Sequence, residues 1–233
     1  MTETGGVAAL DHRLWAVTPA GWGVVERPMP PGRGVRGESP DDARHHSPLH
    51  TLSLRKAKPM SHVTFGGGCF WCTEAVFQQI RGVTGVESGY SGGDTIAPSY
   101  DEVCTGRTGH AEVIQVTFDP AVVSFEKIVR VHLGTHNPTT KNQQGADRGT
   151  QYRSVIFTQS DEERTTAQQL IQEVETALGH PVVTEVKPFT AFYPAEVEHQ
   201  NYYRRHTGQP YCAAVIEPKL AKFRRAFPEM LGT

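Results

Sequence analysis

The feature that most constrains the fold is a change of pattern at residue 60. Residues 1–59 hold seven of the 16 prolines and seven of the 23 glycines, with scattered Arg and His and no apolar periodicity. The run VERPMPPGRGVRGESPDDARHHSP (25–48) is built of turn formers and mixed charge, and it offers little apolar surface to bury. It has neither the basic flank and apolar stretch of a secretory signal nor, with Glu26, Glu38, Asp41 and Asp42, the acid-poor character of a transit peptide. Residues 1–59 are therefore expected to be a disordered or loosely packed extension, with Met60 as an alternative start. Residues 60–233 are expected to form one folded domain.

From residue 60 onward the spacing is regular. HVTF reads as a strand running into GGGC, and TEAVFQQI has helical spacing through Ala75, Val76, Gln79 and Ile80. HAEVIQVTFDP alternates, with Ile114, Val116 and Phe118 on one face and Val113, Gln115 and Thr117 on the other, and reads as a central strand closed by Asp119-Pro120. GVTGVESGYSGG reads as a short strand ending in a glycine loop, and QYRSVIF and PVVTEVKPF as further strands. Ser124 and Ser160 are placed to cap two helices, the second ending at Gly179. AEVEHQNYYRRH is expected to be a short helix and PYCAAVIEPK a final extended segment. Strands separated unevenly by two long helices point to an α+β fold, a mixed sheet with helices packed on one side.

A net charge of -2 is unsuited to nucleic acid or an anionic membrane surface. No run approaches 18 consecutive uncharged apolar residues, so no membrane-spanning helix is expected. The four cysteines, Cys69, Cys72, Cys104 and Cys212, are too few and too unevenly spaced for a disulfide scaffold. Cys69 falls where a strand ends, a glycine loop turns and a helix begins. Such a site exposes backbone N–H groups and the positive end of a helix, which favours a thiolate and a lowered thiol pKa. Phe70 and Trp71 set two apolar surfaces beside the sulfur, a pocket for a small apolar group such as a methyl. On local grounds Cys69 is equally a packing residue or, with Cys72, a thioredoxin-like redox pair. Structural zinc lacks a second cysteine pair, and Cys104 reads as a packed apolar cysteine.

The motifs GCFWCTE, GYSGG, SYDEVCTGRTGHAEV, FDP, DRGTQYRSVIF and FYPAEVEHQNYY, in this order, resemble the A-type peptide methionine sulfoxide reductases. The resemblance runs from about Met60 to about Lys219 and leaves residues 1–59 without a counterpart. It implies a two-layer, ferredoxin-like core with a largely antiparallel sheet, and a catalytic reductase domain over 60–233. It implies reduction of the S epimer of methionine sulfoxide, free and in proteins, with no cofactor or metal. In that pattern Cys69 is the nucleophile, and Glu112 is the acid that protonates the departing oxygen. A carboxyl that donates near pH 7 has to be buried in an apolar site. Tyr100 and Tyr152 match two tyrosines that hydrogen-bond the sulfoxide oxygen, as an oxyanion hole does. Phe70 and Trp71 hold the substrate methyl, and Asp147 orients substrate or neighbouring groups.

Attack leaves a sulfenic acid on Cys69 that a second thiol traps as a disulfide. Cys212 matches the resolving cysteine of many members and is preferred. Cys72 stands where the commoner pattern has glycine and is the rival, with a helical first turn holding the two sulfurs at unfavourable geometry. Thioredoxin is the implied reductant, and a cytoplasmic monomer taking part in oxidative-damage repair is expected. The alternative is a general disulfide oxidoreductase built on Cys69 and Cys72. His132 with His136, and Glu196 with His199, have spacings that echo metal pairs but lack the rest of a ligand set. They read as hydrogen-bonded helix faces, and the basic C-terminal end reads as a solvated surface.

Overall fold

A computed structural model describes residues 59–232. The expectations for residues 1–58 lie outside the described residues. The first strand, β1, covers Ser61–Gly66 and leads through the glycine turn into α1, Phe70–Phe77. Then follow β2 (Val83–Ser91), α2 (Tyr100–Cys104), β3 (Ala111–Phe118) and α3 (Phe125–Thr135). A two-stranded ribbon, β4 (Gln143–Gln144) with β5 (Asp147–Arg148), precedes β6 (Val155–Thr158) and the long α4 (Asp161–Leu178). The remainder comprises β7 (Glu185–Pro188), β8 (Tyr193–Pro194), α5 (Tyr202–Arg205) and α6 (Glu217–Ala226).

Six strands form one sheet in the order β7-β6-β1-β3-β2-β8. All neighbours are antiparallel except β6 and β7. The α+β reading with a largely antiparallel sheet therefore holds. The period of two explains which residues meet the helices. Phe65 of β1 is in register with Ile114 of β3 and Ile156 of β6, and Val63 with Val116. All five enter the main core with Phe77 of α1, Ile128 of α3, Leu170 of α4 and Phe223 of α6. The opposite face carries a smaller cluster of Ala111, Val113, Val155 and Phe157, covered by Phe189 and Phe192.

Ser124 and Ser160 cap α3 and α4 through their hydroxyls, and Gly179 closes α4 in a left-handed conformation at φ 67°. Two segments depart from the sequence reading. PYCAAVIEPK is helical rather than extended: a π-helical turn over Cys212–Ile216 runs directly into α6. Burying Ile216, Leu220 and Phe223 along one face is worth roughly 2 kcal/mol each, and Pro218 stands at the second position of α6, where the π-helical turn gives way to the α-helix. AEVEHQNYYRRH is broken into a 3-10 turn at Val197–His199 and the short α5. The break is Asn201 at φ 54°, held because the Glu74 carboxylate accepts the N–H groups of Asn201 and Tyr202 at 2.8 and 3.2 Å.

Candidate active site

β1 and α1 meet at Cys69. Gly68 adopts φ +92°, and a Cβ there would lie 2.6 Å from Gln144 Cγ, so the turn requires glycine. Gly68→Ala is expected to cost about 1–3 kcal/mol through backbone strain and the displaced Gln144, read as a lower melting temperature. Cys69 occupies the N-cap of α1, and its carbonyl accepts the N–H groups of Cys72 at 3.2 Å and Thr73 at 3.4 Å. The Gly68 N–H donates to the Tyr152 carbonyl at 3.2 Å, tying the Tyr152 turn to the cysteine loop.

Cys69 and Cys72 are both buried and both free thiols. A hydrogen-bond interaction between the two thiols divides their titration. Cys72, as acceptor, is drawn down to about 6, helped by the Lys219 charge and opposed by burial. Cys69 is pushed well up by the same hydrogen bond, then by burial and by the negative charges of Cys72 and Glu112. The expectation of a depressed Cys69 pKa is thus corrected for the substrate-free site. Of the two sulfurs, Cys72, one turn along, is the one whose thiolate is favoured. The Tyr211 hydroxyl stands 3.7 Å from Cys72 Sγ.

Glu112 is on the helix-covered face of β3, because the alternation that buries Ile114 and Val116 buries residue 112 as well. Its carboxylate accepts the Phe70 N–H at 3.1 Å, which sets it at the start of α1 beside Cys69. Burial drives its pKa up to about 8, against that hydrogen bond, with Asp147 and Cys72 adding repulsion. Tyr100 opens α2 behind a capping box of Ser99 and Glu102. Burial raises the pKa of Tyr100 and of Tyr152, and the negative charge of Glu112 acts on both. Tyr152 also senses Cys69 and Asp147. Asp147, on β5, is half-buried and raised by burial, with Lys219 opposing.

The Phe70 ring lies against Tyr100, with centroids 6.4 Å apart, and Trp71 is stacked on Tyr202 at 3.6 Å with its edge toward Tyr211 at 5.7 Å. The geometry gathers a buried dithiol, a carboxyl neutral near pH 7, two phenols and an aromatic wall. This set suits attack of sulfur on a polarised sulfur–oxygen bond.

A family model described as "Peptide methionine sulfoxide reductase" matches residues 61–231. The chain belongs to that family. The span contains every candidate residue from Cys69 to Cys212. A relative from Polynucleobacter asymbioticus, "Peptide methionine sulfoxide reductase MsrA", is 53% identical over 186 residues, 79% of this chain and 98% of the relative. One of the same description from Saccharolobus solfataricus is 51% identical over 170 residues, 73% of this chain and 96% of the relative. Among solved structures, reduced Mxr1 from Saccharomyces cerevisiae superposes with a TM-score of 0.61 at 33% identity, covering 67% of this chain and 92% of that one. Methionine sulfoxide reductase A of Corynebacterium diphtheriae gives 0.59 at 35% identity, covering 70% and 81%. The A-type reading of the motifs stands.

Within the family frame, the placement of Cys104 differs from the sequence reading. Cys104 is exposed rather than packed, because α2 fully buries only Val103. Cys212 is wholly buried, its thiol pushed up by burial and by the Cys72 charge. His132 and His136 stack at 4.4 Å beneath the glycine turn, where His136 bonds the Ser154 hydroxyl at 2.7 Å and the His132 carbonyl at 2.6 Å. Burial lowers both, His136 to about 4, so the pair is neutral at pH 7. Tyr211 was missed as a site residue, although it directly precedes Cys212. So were Tyr90 and Tyr202, whose roles depend on contacts distant in sequence.

Proposed function

We propose that this chain reduces the S epimer of methionine sulfoxide, free and in proteins, through a sulfenic acid on Cys69. Membership of the family carries the coarser statement, a methionine sulfoxide reductase. The observation that supports the finer one is the buried Glu112 carboxyl, protonated near pH 7 and fixed at the helix start beside Cys69. In the proposed cycle the substrate methyl enters against Phe70 and Trp71, and Tyr100 and Tyr152 donate hydrogen bonds to the sulfoxide oxygen. Asp147 orients the substrate. Cys72 takes the Cys69 proton along their hydrogen bond as the Cys69 sulfur attacks the substrate sulfur. Glu112 donates its proton to the oxygen. The oxygen then passes to Cys69 as the sulfur–oxygen bond to substrate breaks, releasing methionine and leaving Cys69–SOH.

Of the two resolving candidates, we propose Cys72 for the first attack, in place of the Cys212 expected from the resemblance. Its thiol is drawn down to about 6 through its interaction with Cys69, whereas the Cys212 thiol is raised. The Cys72 thiol, which took up the Cys69 proton, then attacks the Cys69 sulfur; a disulfide forms, and that proton leaves with the displaced hydroxide as water. A thioredoxin-type dithiol then reduces that disulfide by exchange, which suits a monomeric repair enzyme of the cytoplasm. Cys212 serves in this scheme as a later exchange partner or as core.

Peptide mapping after one turnover without reductant tests the scheme. A Cys69–Cys72 disulfide is expected in the wild type and in Cys212→Ser, and an unresolved sulfenic acid in Cys72→Ser. A Cys69–Cys212 disulfide in the wild type would return the resolving role to Cys212. The general disulfide oxidoreductase alternative predicts insulin reduction that needs Cys72 and ignores Glu112.

A further inference from the structure

Glu196 is a polar group near the site that the proposed cycle leaves unused. It lies on the segment between β8 and the Val197–His199 turn, distant in sequence from every candidate residue except Cys212. One carboxylate oxygen accepts the backbone N–H of Tyr100 at 2.7 Å, and the other accepts the hydroxyl of the fully buried Tyr90 at 2.8 Å. Tyr90 pairs with Glu112 across β2 and β3, and its ring lies 6.0 Å from that of Phe70. Three residues on, the His199 ring contacts Tyr100 at 4.4 Å, Phe70 at 5.4 Å and Trp71 at 5.6 Å. His199 Nε2 is itself 4.0 Å from the Glu196 carboxylate. One side chain thus joins the start of α2, the strand beside Glu112 and the aromatic wall.

We infer that Glu196 is a positioning residue for Tyr100, fixing the first residue of α2 so that its phenol meets the sulfoxide oxygen. The inference rests on the proposed role of the Tyr100 hydroxyl. Ser99 caps the first turn of α2 by accepting the Glu102 N–H, whereas the Tyr100 N–H has Glu196 as its acceptor. Two charge-assisted hydrogen bonds on one rigid carboxylate hold the segment more tightly than a neutral pair would. Displacing a transition-state donor by an ångström costs about 100-fold in rate. Glutamine can keep both contacts, since its amide oxygen accepts from Tyr100 N–H while its NH2 donates to the Tyr90 oxygen. Alanine keeps neither.

The test is a double-mutant cycle read in single turnovers, as methionine released per enzyme from methionine S-sulfoxide without reductant. Glu196→Ala is expected to slow the step about 30–100-fold with little change in substrate affinity, and Glu196→Gln to stay within about threefold of wild type. In a Tyr100→Phe background, Glu196→Ala is expected to cost less than about threefold more, because the hydroxyl it positions is gone. Equal losses in both backgrounds, or a fully active Glu196→Ala, would overturn the inference. A fully active Tyr100→Phe would instead overturn the role given to the phenol. If the alanine variant does not fold, Glu196→Asp, a carboxylate drawn back by one methylene, takes its place in the same cycle with the same expected non-additivity.

Discussion

Cys69→Ser should abolish methionine sulfoxide reduction, with a loss of at least about 10⁴-fold, because a hydroxyl at the same place is a far weaker nucleophile and no other group replaces it. Serine fits the N-cap, where its oxygen can accept a backbone N–H that the thiol leaves unbonded, so stability should change little. A companion variant, Cys69→Ala, tests the division of charge between the two sulfurs. In the wild type, alkylation of Cys72 should rise through a step near pH 6. In Cys69→Ala that step should move upward, since the largest influence lowering the Cys72 pKa is its hydrogen bond with Cys69, which alanine removes. Steady-state assays and a pH series of alkylation measure both. An unmoved step would mean that the helix terminus and Lys219, rather than the paired sulfur, hold the thiolate.

Glu112→Gln should lose activity by about 10²–10⁴-fold, the usual worth of a positioned general acid, and should gain stability. The carboxyl pKa is raised in the folded protein from 4.5 to about 8. The associated stability is fully present below pH 4.5, falls as pH rises, and reaches its full penalty above pH 8. At pH 7 the penalty is about 3 kcal/mol. Glutamine escapes it while its amide oxygen still accepts the Phe70 N–H. Thermal melts of the two proteins should therefore nearly coincide near pH 4 and diverge as pH rises, the variant melting higher. In the wild type, kcat/KM should fall above about pH 8 as the acid ionises. A variant that melts lower at every pH would show that Glu112 is not the strained, neutral acid described.

How far the site was legible in the sequence depends on how local its causes are. The strand through Ile114, Val116 and Phe118 and the caps at Ser124 and Ser160 were readable because period and capping chemistry act within a few residues. Glu112 was legible only through the family resemblance, since a lone Glu at the mouth of a strand otherwise reads as an exposed edge carboxylate. The C-terminal helix was misread because the apolar positions that define it, Ile216, Leu220 and Phe223, extend past the ten residues of PYCAAVIEPK. Cys104 was misjudged because a five-residue helix turns a single side chain into the core. The Cys69 pKa was misjudged because it is set by the position of one sulfur relative to another, which no spacing rule supplies. Glu196 and Tyr211 reach the site across the whole length of the domain. Their motifs were visible in the sequence, but their contacts could not be.

The central claim is that the sulfoxide oxygen passes to Cys69. Its most direct test is one turnover of the Cys72→Ser, Cys212→Ser double variant with methionine S-sulfoxide and no reductant, followed by mass analysis of the cysteine peptides. The account predicts one methionine released per enzyme and one added oxygen atom on the peptide bearing Cys69, trappable as a sulfenic acid. Methionine released with the Cys69 peptide unchanged, or the oxygen found on another residue, would contradict it.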